Sequence, residues 1–268
     1  MMEKFGFHKV TNSPTSPNQA KITHNISDRP HLPPRHEPVE AFRKQLRVAN
    51  APGNDVVVAN CVAVSPGDFP HLPDRTPVIL DGVFVYSIAK DERVKPGHIG
   101  LAGNMRSWGK YSFDQIVNVE TYDIFQSGQQ QQYLGAIDLL IDFVKAKSNS
   151  SALNHDELVN IFHQKYENQI LQPTQVIYMD FHNVYYTVKV EQVQIIDVNT
   201  KDNLPSFKDS GDIKTKGIFI KSTDVVFYPY EGSKINISKS KSLKSRLFGG
   251  IGAHETRRHT RKQIINPD

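Results

Sequence analysis

From Leu46 onward the chain alternates short apolar runs with clusters of turn-forming residues. LRVAN (46–50), VVVANCVAV (56–64), PVILDG (77–82), VFVYSI (83–88), HIGLA (98–102) and IVNVETYDIF (116–125) are short and mostly β-branched, the pattern of strands. PGND, SPGDFPHLPD and KPGH separate them and supply turns. Five or six such strands with no sustained helical period predict a small closed or pseudo-closed barrel over 44–126.

The pattern then changes character. FQSGQQQQY (125–133) is of low complexity and predicts a linker at 127–132. YLGAIDLLIDFVKAK (133–147) predicts one long strand. HDELVNIFHQKYENQI (155–170) puts Leu158, Ile161, Phe162 and Tyr166 on one helical face, with Asn154 and Glu157 in capping-box spacing at its start. TQVIYMDFH and VYYTVKVEQVQIIDV predict a hairpin turning at His182-Asn183, and GIFIK and DVVFYPY add strands. Residues 133–233 therefore predict an α+β unit whose helix lays its apolar face on a sheet.

The two ends lack such patterning. Residues 1–43 are rich in Pro, Asn, Ser and His, cannot bury enough apolar surface to offset their ordering entropy, and are predicted to be disordered. Residues 234–268 are rich in Ser, Lys and Gly and predict a flexible basic tether. Formal charge is +2 over 1–43, −5 over 44–233 and +7 over 234–268, together the +4 of the chain. The sequence pI of about 9.0 thus belongs to the tail, which disfavours a uniformly basic nucleic-acid-binding domain. The tail alone leaves a polyanion-binding protein as the alternative reading.

The chemistry is mostly negative. A single cysteine, Cys61, allows no intramolecular disulfide and no multi-cysteine zinc site. No apolar run approaches the ~18 residues that span a bilayer, and the charged, proline-rich start is no signal peptide. A cytoplasmic protein follows, with unglycosylated sequons at Asn25, Asn149 and Asn236. No GxSxG, HExxH, CxxC or EF-hand pattern occurs, so neither catalytic residues nor a metal or cofactor site is expected in this chain. GNMRSWGKYS (103–112) approximates a phosphate-binding loop, but five residues separate Gly103 from Gly109 and Tyr111 stands where the hydroxyl should be. Met105, Arg106 and Trp108 are too bulky for a backbone cradle. The stretch predicts turn and surface residues of the barrel.

NCVAVSPGDFP (60–70), VKPGHIGLAGNMRSWGKYS (94–112), YLGAIDLLIDF (133–143), HDELVNIFHQKYENQILQPTQ (155–175) and ETRRHTRKQIINPD (255–268) occur in this order. Together they resemble the amino-terminal domain of N-ethylmaleimide-sensitive factor, the AAA ATPase family of vesicle fusion. The resemblance implies a double-psi β-barrel followed by an α/β roll. It implies a role in vesicle transport, with docking of SNAP adaptor proteins on SNARE complexes through a basic surface near the seam of the two subdomains. The parent would be a hexamer whose ATPase rings use ATP and magnesium, recruited to membranes through its adaptors. The terminal INPD resembles the junction before the first ATPase domain, so a truncated and monomeric fragment is implied.

Carried over residue by residue, the family's R-x-W element matches Arg106-Ser107-Trp108, which makes Arg106 the first docking candidate and Trp108 a packing residue between subdomains. Its basic pair after the I-D-F strand matches Lys145 and Lys147. Basic residues of the family are missing at Asn50, Ser107 and Ala146, and Lys110, Arg47, Arg93 and Lys95 are the candidates to compensate.

Overall fold

A computed structural model of the chain describes residues 41–125, 132–145, 151–197 and 206–238. Most of the predicted amino-terminal disorder, nearly all of the predicted linker, Lys147 and the tail beyond Ser238 lie outside the described residues, but at 41–43 the expectation fails, since Phe42 packs on the Phe69 ring and Arg43 begins a strand.

The first unit contains β1 (Arg43–Asn50), α1 (Asn54–Val58), β2 (Cys61–Val64), β3 (Pro77–Leu80), β4 (Phe84–Lys90), β5 (His98–Leu101), α2 (Gly103–Gly109) and β6 (Ile116–Thr121). Its strands close into a barrel in the order β1-β5-β2-β4-β3-β6, with β6 returning to β1. β1 with β5 and β2 with β4 run parallel, while the remaining pairs are antiparallel. This is the double-psi barrel that the resemblance implies. Strand alternation sorts the faces: Leu46 and Val48 of β1 point into the barrel core with Val62, Leu80, Ile99 and Val117, while Arg47 between them faces outward.

Two short helices correct the all-strand reading of this unit. VVVANCVAV is not one strand, because α1 takes Val56–Val58 and the chain turns through Asn60 in the left-handed region (φ 54°) before β2 begins. Asparagine tolerates that conformation at little cost, and it separates two apolar runs that periodicity alone would join. GNMRSWGKYS is also helical rather than a turn. α2 covers Gly103–Gly109 and ends at Lys110 in the left-handed region (φ 56°), with Met105 fully buried.

The second unit begins with β7 (Tyr133–Phe143) and β8 (Ser151–Asn154). It continues through α3 (His155–Tyr166), β9 (Ile170–Leu171), β10 (Val176–Phe181), β11 (Val184–Asp197), β12 (Ser206–Ser210), β13 (Gly217–Ile218), β14 (Asp224–Pro229) and β15 (Ile235–Ser238). Its sheet runs β10-β11-β7-β13-β9, with β12 on β11 and β14 on β7. The β10–β11 hairpin turns at His182 and Asn183, both left-handed (φ 52° and 59°), as a two-residue turn of the primed type requires. Leu158, Phe162 and Tyr166 of α3 are fully buried in the roll core, and Ile161 packs at its edge. β15 pairs in parallel with β8, so the first residues assigned to the tether form a strand of the roll.

Barrel and roll meet in a seam of mixed character. Val85 and Ile124 of the barrel share an apolar cluster with Tyr133, Ile170 and Ile218 of the roll. Buried amides tie the backbones together around it. Gln172 accepts from the Val85 N–H (2.9 Å) and donates to the carbonyls of Val83 (3.1 Å) and Ile213 (2.9 Å). Gln169 accepts from Asn60 Nδ2 and donates to the Ala59 carbonyl, both at 3.0 Å.

Candidate functional site

The α2 helix carries the side chains of greatest interest to one end of this seam. Asn104 donates to the Val176 carbonyl of the roll (2.6 Å), and Trp108 Nε1 donates to Thr174 Oγ1 (2.9 Å). The indole packs edge-on against Phe84 and Tyr86 of the barrel, with centroids 4.8 and 5.7 Å away. Trp108 is thus committed to packing between the subdomains. Fixing the helix on both sides fixes the direction of Arg106, one helical turn from Ala102.

Arg106 is held in three ways. Its Nη1 donates to Asn50 Oδ1 (2.9 Å) and to the Leu101 carbonyl (2.8 Å), and its guanidinium lies 4.1 Å from the ring centroid of Phe113. Both hydrogen bonds use Nη1, so Nη2 and Nε have no protein partner among the described residues. Arg47 is arranged likewise: Nη1 donates to the Asp114 carbonyl (3.0 Å), and its other donors are uncommitted among the described residues. The two arginines bracket the Phe113-Asp114 segment, each with Nη2 and Nε uncommitted among the described residues. A planar fork that is already oriented suits a carboxylate and loses little entropy on binding one.

The other expected basic residues are distributed differently. Lys110 and Lys95 are exposed without an ion-pair partner among the described residues; Lys110 ends α2, and Lys95 lies in the turn before β5. Arg93 is neutralised, with Nη2 2.6 Å from Asp91 Oδ2 and 3.1 Å from Asp55 Oδ2. Lys145 is exposed just past the end of β7. Sheet register sets it apart from α2: Val176 faces Lys189, which faces Leu140, and Lys145 lies roughly 15 Å further along the sheet. Arg47 and Arg106 therefore belong to one cluster and Lys145 to another.

Sequence reasoning missed the contributions of Asn50, Phe113 and Ile116. Asn50 was read as a lost cation, yet its amide oxygen orients Arg106. Phe113 and Ile116 are 53% and 48% exposed beside the arginines. A signal for them was present: two large apolar residues, Phe113 and the Ile116 that opens the run 116–125, flank polar Asp114-Gln115.

The former phosphate-loop suspect contains no anion cradle, since its glycines begin and end a helix rather than a loop. Among the described residues no group of three or more His, Cys, Asp or Glu could hold a metal ion. No helix there is long and apolar enough to cross a membrane.

Residues 45–125 match the family model of the N-terminal domain of cell division protein 48 (CDC48), and residues 152–210 match the model of CDC48 domain 2. The chain is 67% identical over 274 aligned residues to vesicular-fusion protein SEC18 of Candida albicans, covering 100% of this chain and 34% of that protein. Identity to vesicular-fusion protein SEC18 of Saccharomyces cerevisiae is 36%, over 81% of this chain and 28% of the relative. The vesicle-fusing ATPase of Caenorhabditis elegans is 29% identical over 89% of this chain and 29% of its own length. The chain spans about a third of the length of the curated relatives it matches. It belongs to the family of vesicular-fusion proteins and vesicle-fusing ATPases, and carries the two CDC48-type N-terminal units of that family.

Proposed function

We propose that this chain is an adaptor-docking module of a vesicle-fusing ATPase, and that the face built from Arg47, Arg106 and their neighbours holds acidic residues of a SNAP adaptor. The observation that carries this reading is the clamping of both arginines through Nη1, which leaves Nη2 and Nε of each without a hydrogen-bond partner among the described residues. Lys110 and Lys95 add long-range positive potential, Lys145 extends the footprint on the roll, and Arg93 contributes little because Asp91 and Asp55 occupy it.

Exposed ion pairs give roughly 0.2–1 kcal/mol each and are screened by salt. One such module binds weakly, so several copies in a hexameric parent would have to engage several adaptors at once. Through the adaptors the parent would be recruited from the cytoplasm to SNARE complexes, which its ATPase rings, with ATP and magnesium, would disassemble.

The strongly basic residues beyond Ser238 give a second reading, in which the tail binds polyanions. Affinity for a SNAP adaptor, measured against rising salt with the whole chain and with a chain ending at Ser238, separates the two. The docking reading expects salt-sensitive binding that survives removal of the tail. Binding lost with the tail, or retained equally by any polyanion, would favour the second reading.

A further inference from the structure

We propose that Phe113 and Ile116 form an apolar step within the arginine-lined face, and that the step takes a large apolar side chain lying next to a carboxylate in the bound partner. The proposal rests on the docking reading above and gives it a chemistry that charge alone lacks.

Four large apolar side chains are exposed among the described residues: Phe113, Ile116, Tyr185 and Val144. The two most exposed lie three positions apart, Phe113 in the turn before β6 and Ile116 as its first residue, and both adjoin a clamped arginine. Ile116 is the register partner of Arg47 across the β1–β6 pair, and the Phe113 ring carries the Arg106 guanidinium on one face. A single exposed hydrophobe is ordinary on a protein surface. Two adjacent ones between oriented cations resemble the anchor of an interface, with charge at its border to fix the register of an acidic segment.

The local charge is mixed rather than purely basic. Asp114 is exposed between Phe113 and Ile116, and its carbonyl, not its carboxylate, holds Arg47. An all-acidic ligand would meet that carboxylate unfavourably. A ligand that puts an apolar side chain over the step and its carboxylates toward Arg47 and Arg106 avoids it. Such a contact has a component that salt does not screen, because apolar burial is insensitive to the Debye length and is strengthened by strongly excluded salts.

The test uses two short Asp/Glu peptides that differ only in a central Leu or Ser, titrated by fluorescence anisotropy into the full chain. Wild type is expected to favour the Leu peptide by roughly fivefold, the scale for partial burial of one such side chain. Phe113→Ser/Ile116→Ser should erase the preference while keeping salt-sensitive binding and an unchanged thermal midpoint. Arg47→Glu/Arg106→Glu should weaken both peptides. Equal binding of the two peptides by wild type, a preference that survives in the serine variant, or no binding of either peptide at millimolar concentration overturns the proposal.

A parallel titration with a SNAP adaptor separates this proposal from the reading on which it rests. An adaptor that fails to bind while the Leu preference holds removes the adaptor reading and leaves the apolar step. An adaptor that binds wild type and the serine variant equally at about 0.5 M salt, where charge is screened, removes the step and leaves the adaptor reading.

Discussion

Asn50 stands where the resemblance places a cation, yet it serves the same face by accepting from Arg106 at 2.9 Å. Removing that acceptor with Asn50→Leu leaves a freer guanidinium, and adaptor affinity should drop severalfold with no change in net charge; unchanged affinity would show that the orientation is irrelevant. Cys61 illustrates the opposite case, a reactive residue type made inert by its place. It is fully buried, and burial pushes its thiol up to about 11 although Arg75 Nη1 lies 2.9 Å from the sulfur and favours the thiolate. Thiolate is the reacting form. Alkylation followed by mass spectrometry should therefore be slow at neutral pH in the native protein and rapid in urea. Fast labelling under native conditions would contradict this packing. Single residues of this kind were poorly legible in the sequence, because a side chain's partner comes from a strand or turn that is distant in the chain.

At the scale of elements the sequence was more informative where two signals agreed. For α3 the apolar period and the cap coincide: Asn154 Oδ1 accepts from the Glu157 N–H at 3.2 Å. Only half of the capping box forms, since Glu157 turns instead to His182 Nε2 at 2.8 Å. Asn154→Ala should cost about 1 kcal/mol in urea unfolding, and Phe162→Ala, in the middle of the roll core, about 3–5 kcal/mol. Two histidines, one at each end of α3, also predict a pH dependence. His155 Nε2 accepts the Phe227 N–H at 3.3 Å, which requires an unprotonated nitrogen, and burial lowers the pKa of both His155 and His163 from 6.5. Asp156 opposes the shift at His155, and Glu167 and Asp224 oppose it at His163. Between the lowered values and 6.5 the unfolded chain binds more protons than the folded one, so stability falls as the pH drops through that window. A variant with both histidines changed to Gln should show a flatter profile there; an equally steep one would remove these residues as the cause. Signals failed in the barrel where they were single, as in VVVANCVAV, where an apolar run without a visible break hid the left-handed turn at Asn60.

For the whole molecule, strand patterning made a barrel followed by an α+β roll legible, while closure and strand order required the structure. The seam was invisible to pattern, since Asn60, Gln169 and Gln172 read as ordinary polar residues until burial shows them bridging the two units. The proposed docking face is tied across the same seam by other bonds, from Asn104 and Trp108 of α2 to Val176 and Thr174 of the roll. Breaking the bridge with Gln172→Leu leaves several backbone groups unpaired. It should cost about 1–3 kcal/mol for each group left buried without a partner. The central claim concerns the face itself. Its most direct measurement is calorimetric titration of a SNAP adaptor into three proteins: wild type, Arg47→Glu/Arg106→Glu and Arg93→Glu. The account predicts that the double variant loses at least about tenfold in affinity, roughly 1.4 kcal/mol, at low salt. It predicts that Arg93→Glu, whose charge Asp91 and Asp55 already occupy, stays close to wild type. Equal binding by wild type and the double variant, or an equal loss in Arg93→Glu, would contradict it.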